Sequence, residues 1–216
     1  MANIARNQTD KKIYSIEDWQ VSFINDIPYC PVCDEVTEIK AKSSVYMQTH
    51  FAHGKHSDCP TIKDNHGKYT LLPPTDRDED NGKILLCWAK LNIHHLYLKC
   101  QEILQGKLKF IEFTEVLQKA NNNSIWFYKG LTNETLPYVL IVNYGVFSKV
   151  KDLRSEDVHY IFNKSAYGDD LFLKKKISHI YRVVDSGIES IALNYKTKGT
   201  APDYFWRYVK TFMNTK

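Results

Sequence analysis

Five side chains within about thirty residues could hold a soft metal ion. They are Cys30 and Cys33 in Tyr29-Cys30-Pro31-Val32-Cys33, His50 and His53 in His50-Phe51-Ala52-His53, and Cys59 in Asp58-Cys59-Pro60. A structural Zn²⁺ takes four thiolate or imidazole ligands at tetrahedral positions about 2.0–2.3 Å away, so the run offers one donor more than such an ion needs. The C-x2-C pair supplies half of the shell by itself. Pro31 fixes φ at one corner of a tight knuckle and carries no N–H, which leaves the neighbouring backbone N–H groups to point at sulfur. Disulfides fit the pattern poorly: the chain has five cysteines, a C-x2-C pair and no secretory signal, all features of a reducing compartment.

For these donors to converge, the chain between them must return on itself. Val36-Thr37-Glu38-Ile39-Lys40-Ala41-Lys42 alternates apolar and polar residues, Ser43-Ser44 can turn, and Val45-Tyr46-Met47-Gln48-Thr49 reads as extended. This is a hairpin pattern, and it delivers residues 50–59 beside the knuckle. On an extended strand His50 and His53 point to opposite faces, so both reach one ion only if the chain turns at Phe51-Ala52. The expected ligand set is Cys30, Cys33, His53 and Cys59, with His50 as the alternative for one of the last two. His56 lies in Gly54-Lys55-His56-Ser57-Asp58, which reads as a loop tip. Trp19, Phe23 and Phe51 are expected to form the apolar shell that a small metal module needs around its ligands.

The same residues carry a family resemblance. C-P-x-C, a basic hairpin, His50-Phe51-Ala52-His53, and a Cys six residues after the second His resemble the N-terminal zinc-finger-like module of the competence protein CoiA-like family, over roughly residues 29–60. The resemblance implies a bacterial or phage-related protein that handles DNA. Members of that family pair this module with a nuclease-like domain of the PD-(D/E)xK type and are associated with uptake or processing of foreign DNA.

The 216 residues, 43% hydrophobic and 25% charged, suit one main domain plus a small module. The formal charge of +4 and a pI near 8.6 are too mildly basic to imply nucleic acid without a clustered patch. The 13% aromatic content is read first as core. No apolar run approaches membrane-spanning length, and residues 1–12 lack the apolar core of a signal peptide, so the expectation is a cytoplasmic protein.

The fold expected is α+β: a small zinc-ribbon-like hairpin module followed by a mainly helical domain with a few strands. Residues 1–12 read as a flexible tail, 13–70 as the zinc-binding module, 71–82 as an acidic linker, and 83–216 as the larger domain. Ser15, with Asp18 three residues on, is placed to cap a helical turn, and residues 20–24 read as a strand. Residues 83–105 have apolar positions at helical spacing and read as one central helix, with Cys87 and Cys100 as buried small side chains. Adjacent His94 and His95 cannot chelate one ion from a helix. A second helix is expected over residues 110–120, ended by Asn121-Asn122-Asn123. The β-branched run 138–142 reads as a buried strand. Further helices are expected from Ser155 through Phe162 and from Asp169 to about Val184, then a strand over 188–195 and a last helix from Pro202.

A PD-(D/E)xK nuclease needs an Asp and then an acid and a Lys one residue apart. Glu38-Ile39-Lys40 is the only E-x-K and lies inside the hairpin, while Asp185, Glu189 and Lys196 have the right types at the wrong interval. The Asp-His pair of an HNH nuclease and the glycine-rich loops of nucleotide-binding enzymes are also missing, so no nucleotide cofactor is expected. Lys40, Lys42, Lys55, Lys63 and Lys68 surround the module, and Lys174 to Lys176, Arg182, Lys196, Lys198, Arg207 and Lys210 follow later. Such residues attract a phosphate backbone without reading its sequence. The leading expectation is a non-catalytic zinc protein that binds DNA, RNA or a nucleic-acid-processing protein partner, in a defence, competence or mobile-element setting. A degenerate CoiA-type nuclease and an interaction subunit with a purely structural zinc are the alternatives.

Overall fold

The computed structural model describes residues 2–70, 76–164, 167, 179–194 and 196. The described residues form an α+β fold in two compact units. Residues between 2 and 70, 145 and 167, and 179 and 193 make the first, and residues between 76 and 144 with Asn194 and Lys196 make the second. The chain therefore leaves the first unit and comes back to it, whereas the sequence suggests a single larger domain from residue 83 onward.

In the first unit, β1 (Ile4–Arg6) pairs antiparallel with β2 (Ile13–Ser15), Ile4 opposite Ser15. The segment expected to be a frayed tail is thus structured, because Ala2 bridges to Phe51 and Ala5 is fully buried. Helix α1 (Ile16–Ser22) starts where the Ser15 hydroxyl accepts from the Asp18 N–H, as its spacing implies, but the helix runs through residues 20–22 where a strand is expected. β3 (Glu38–Lys40) and β4 (His50–Ala52) form the anticipated hairpin, with Ile39 opposite Phe51. Residues 45–49 belong to its loop rather than to the returning strand. After a 3₁₀ turn (Lys63–Asn65) comes the short helix α2 (His66–Thr70).

The unit is completed by a four-stranded antiparallel sheet of β5 (Val146–Phe147), β6 (Val158–Ile161), β7 (His179–Val184) and β8 (Gly187–Ala192), in that order. Residues 158–161, expected to be helical, are buried along their whole length and pair with β7. Residues 179–184 are likewise strand rather than the end of a helix. Trp19, Phe51, Ile161, Tyr181, Val183 and Ile188 share one apolar core with Cys30 and Cys59, and Phe23 packs against it. Trp19 meets the Phe51 ring edge-on at 5.8 Å. The three aromatic residues read from sequence as the shell of the module do occupy that place.

The second unit is helical. Asp78 caps α3 (Glu79–Leu91) by accepting from the Asn81 N–H at 3.0 Å, so part of the acidic segment read as linker is the first turn of a helix. The expected long helix is two: α4 (Ile93–Ile103) begins after a break at Asn92, whose side-chain amide donates to the Trp88 carbonyl at 2.9 Å. α5 (Phe110–Asn122) ends at the Asn cluster as anticipated. α6 (Leu136–Tyr144) replaces the strand expected at 138–142, and its residues from Leu136 to Asn143 are all buried. Uniform burial removes the helical periodicity that would have identified it. Cys100 is buried as expected, while Cys87 is exposed. The final helix read from Pro202 lies outside the described residues.

Candidate metal centre

The C-P-x-C knuckle forms because the chain on either side of it is tied together. Tyr29 bridges to both Arg6 and Val36, the Cys30 N–H donates to the Glu35 carbonyl at 2.8 Å, and the Asp34 N–H donates to the Cys30 carbonyl at 3.0 Å. The Val32 N–H points at Cys30 Sγ from 3.4 Å, the backbone-to-sulfur contact the knuckle is suited to make. The Tyr181 hydroxyl of β7 donates to the Pro31 carbonyl at 3.0 Å, so the sheet holds the knuckle from below.

The Cys59 segment is secured separately. Asn65 donates through its side-chain amide to the Ser57 carbonyl (3.1 Å) and the Cys59 carbonyl (3.0 Å). Tyr69 of α2 donates to the Asp58 carbonyl at 2.9 Å. Ser57 donates to Glu35, and Lys164 pairs with Glu35 at 3.3 Å. His53 follows β4 directly, on the chain that the hairpin has returned.

These elements bring Cys30, Cys33, His53 and Cys59 together, with one donor atom from each lying within 4.8 Å of all the others. Cys30 Sγ and Cys59 Sγ are 3.7 Å apart, and Cys33 Sγ and His53 Nε2 are 3.4 Å apart. Tetrahedral bonds of about 2.3 Å to sulfur and 2.0 Å to nitrogen require separations of roughly 3.8 and 3.5 Å. Both spacings match those of a tetrahedral shell, and the sulfurs are far beyond disulfide distance. His50, the alternative ligand, stands outside the group; its Nδ1 meets the Gln48 carbonyl at 2.9 Å. His56 is exposed in the loop.

Electrostatics point the same way. Cys30 is pushed far above the ordinary thiol range by its hydrogen bond with Cys33, then by that with Cys59 and by burial. Cys59 is pulled far below that range, chiefly by the hydrogen bond it receives from Cys30. Three crowded thiols share protons because three adjacent thiolates would repel one another. A divalent cation at their centre reverses that preference and ionises all of them.

The residues weighed for a nuclease triplet have partners of their own in the structure. Lys40 is engaged by Glu38 on the hairpin, and Glu189 faces Arg182 on β7 at 3.7 Å. The His94 and His95 rings lie 3.9 Å apart on α4 without joining any group of three or more candidate ligands among the described residues. The sequence reading missed His66 and His159, 93 residues apart, whose Nε2 atoms meet at 2.7 Å. No ligand-like spacing links them in the chain. Compared with protein-family models, curated proteins and solved structures, the sequence and fold gave no match.

Proposed function

We propose that this chain is a zinc-stabilised, non-catalytic protein whose metal-pinned hairpin binds nucleic acid. The zinc half of the reading rests on the donor set: three thiols and an imidazole, four protein donors, fill a tetrahedral shell, as in a structural zinc site rather than an open catalytic one. The CoiA-like resemblance of residues 29–60 agrees with that choice.

The nucleic-acid half rests on what the hairpin presents to solvent. Tyr46 is 95% exposed and Val45 87% exposed at the hairpin loop, and Lys42 is exposed on the same loop. An aromatic ring with a lysine on its own loop can stack on a base of any identity while the ammonium group meets a phosphate, which is how single strands are held without sequence preference. The metal centre would act as the clamp that keeps the loop's two ends together. By the same resemblance, a competence, defence or mobile-element setting fits a protein of this kind.

Fluorescence anisotropy with labelled single-stranded DNA and RNA oligonucleotides at stepped salt tests the proposal. Binding should weaken steeply with salt, and Tyr46→Ala should reduce affinity about 5-fold or more, as expected for loss of one stacked base. Lys42→Ala should flatten the salt dependence by about one unit of slope. Absence of binding at low salt, or wild-type affinity and salt dependence in both Tyr46→Ala and Lys42→Ala, would reject it.

A further inference from the structure

A cavity of about 360 Å³ in the first unit is bordered by β4, the 3₁₀ turn, α2 and the sheet. Its polar lining includes His66, Asp157, His159 and Asp185. Its central feature is the meeting of His66, from the start of α2, with His159, from β6.

The two rings are not arranged as a simple hydrogen-bonded pair. Their centres are only 3.5 Å apart with 51° between the planes, although the Nε2 atoms themselves are 2.7 Å apart. An end-on N–H···N bond would hold the ring centres much further apart. The rings instead lie side by side and bring their Nε2 apices together. His159 is almost wholly buried. A hydrogen bond to the Thr61 backbone engages the His66 ring, the kind of outer contact that fixes the orientation of an imidazole ligand.

Burial, and then the neighbouring His66, push His159 down to about 3. Burial also lowers His66. Both rings are therefore neutral near pH 7, and Nε2 can act as a metal donor on each.

We propose that His66 and His159 form a second metal site, binding a divalent transition-metal ion of the zinc, cobalt or nickel type through their two Nε2 atoms. Adjacent imidazole donors on such an ion stand roughly 3.0–3.4 Å apart for bonds near 2.1 Å. The observed 2.7 Å opens to that spacing by a small rotation of either ring. Asp157 and Asp185 line the same cavity and give it the negative charge that favours a cation, without standing in the imidazole pair's tight group. No third donor joins the two imidazoles in a tight group among the described residues, so the site leaves coordination positions open to water. It should hold its ion more weakly than the Cys3His centre, and the two sites can be loaded in order.

The test is a zinc titration of the full-length protein by equilibrium dialysis and elemental analysis. Wild type should take up two equivalents, the second displaced first by a mild chelator, while His66→Gln and His159→Phe should each stop at one. Histidine side-chain NMR of the wild type supplies an independent reading: the imidazole signals of His66 and His159 should shift only during the second equivalent. A wild type that saturates at one equivalent overturns the proposal, as do variants that still bind two. If either variant fails to fold, unchanged His66 and His159 signals through the second equivalent overturn it equally. A protein that takes up no first, tight equivalent would instead refute the Cys3His zinc centre, so the two failures are separable.

Discussion

Replacing Cys59 by serine removes the sulfur that joins the returning chain to the knuckle. An ion bridging Cys30 and Cys59 closes a loop of 29 residues, and the chain-entropy relation for a cross-link of that span gives about 3.6 kcal/mol. That figure counts only the restriction of the unfolded chain. Apparent binding energies of structural zinc on the order of 10 kcal/mol leave room for a larger loss. A deficit of 3–4 kcal/mol corresponds to a drop of roughly 10–20 °C in the melting temperature of a domain of this size.

The assay is thermal unfolding followed by circular dichroism, with zinc content measured on the same samples. Wild type treated with a strong chelator should fall to the temperature of Cys59→Ser, and the chelator should have no further effect on the variant. Cys87→Ser, a change of an exposed cysteine outside the site, should leave the midpoint within the small range usual for surface substitutions. Cys59→Ser melting with wild type, or wild type indifferent to the chelator, would refute the reasoning.

Other expectations concern the choice of ligands and the packing of the second unit. His53→Ala should lose tight zinc, whereas His50→Ala should retain the first equivalent, because only His53 joins the three sulfurs; competition with a chromophoric chelator distinguishes the two. Gly82→Ala should destabilise the second unit by about 1–3 kcal/mol, since a Cβ there would stand 2.3 Å from the Phe127 ring. Denaturant unfolding would read the loss, and an unchanged midpoint would mean that the α3 contact with Phe127 gives way.

The Cys3His group was legible because its chemistry lies close together in the chain. C-x2-C, H-x2-H and a later cysteine state both donor type and spacing, and the alternation around Ile39 announces the hairpin that joins them. Strand geometry limited the choice, since two histidines three residues apart on an extended strand cannot face one point, but it left His50 open, and the structure places His53 with the three sulfurs. What the chain does around that site was harder to read. The first strand is only three residues, Ile4-Ala5-Arg6, in a polar stretch, and the chain just before it is anchored by Ala2 meeting Phe51 across the sequence.

Helix α6 is buried on every side, so Tyr138 to Val142 shows a continuous apolar run that suits a strand equally well. Ser155-Glu156-Asp157 resembles a helix start, yet the Glu156 carboxylate receives the Ser186 N–H at 2.9 Å at the β7–β8 turn, and β6 follows. Misreading β6 hid His159, and with it the pair it makes with His66. That pair is created by the return of the chain to the first unit, a long-range event with no local signal.

Zinc-edge X-ray absorption on the purified protein carrying one tight equivalent tests the central claim most directly. Three sulfur neighbours near 2.3 Å and one nitrogen near 2.0 Å are the expected shell. A shell of nitrogen and oxygen alone, or a protein that retains no zinc, would contradict it.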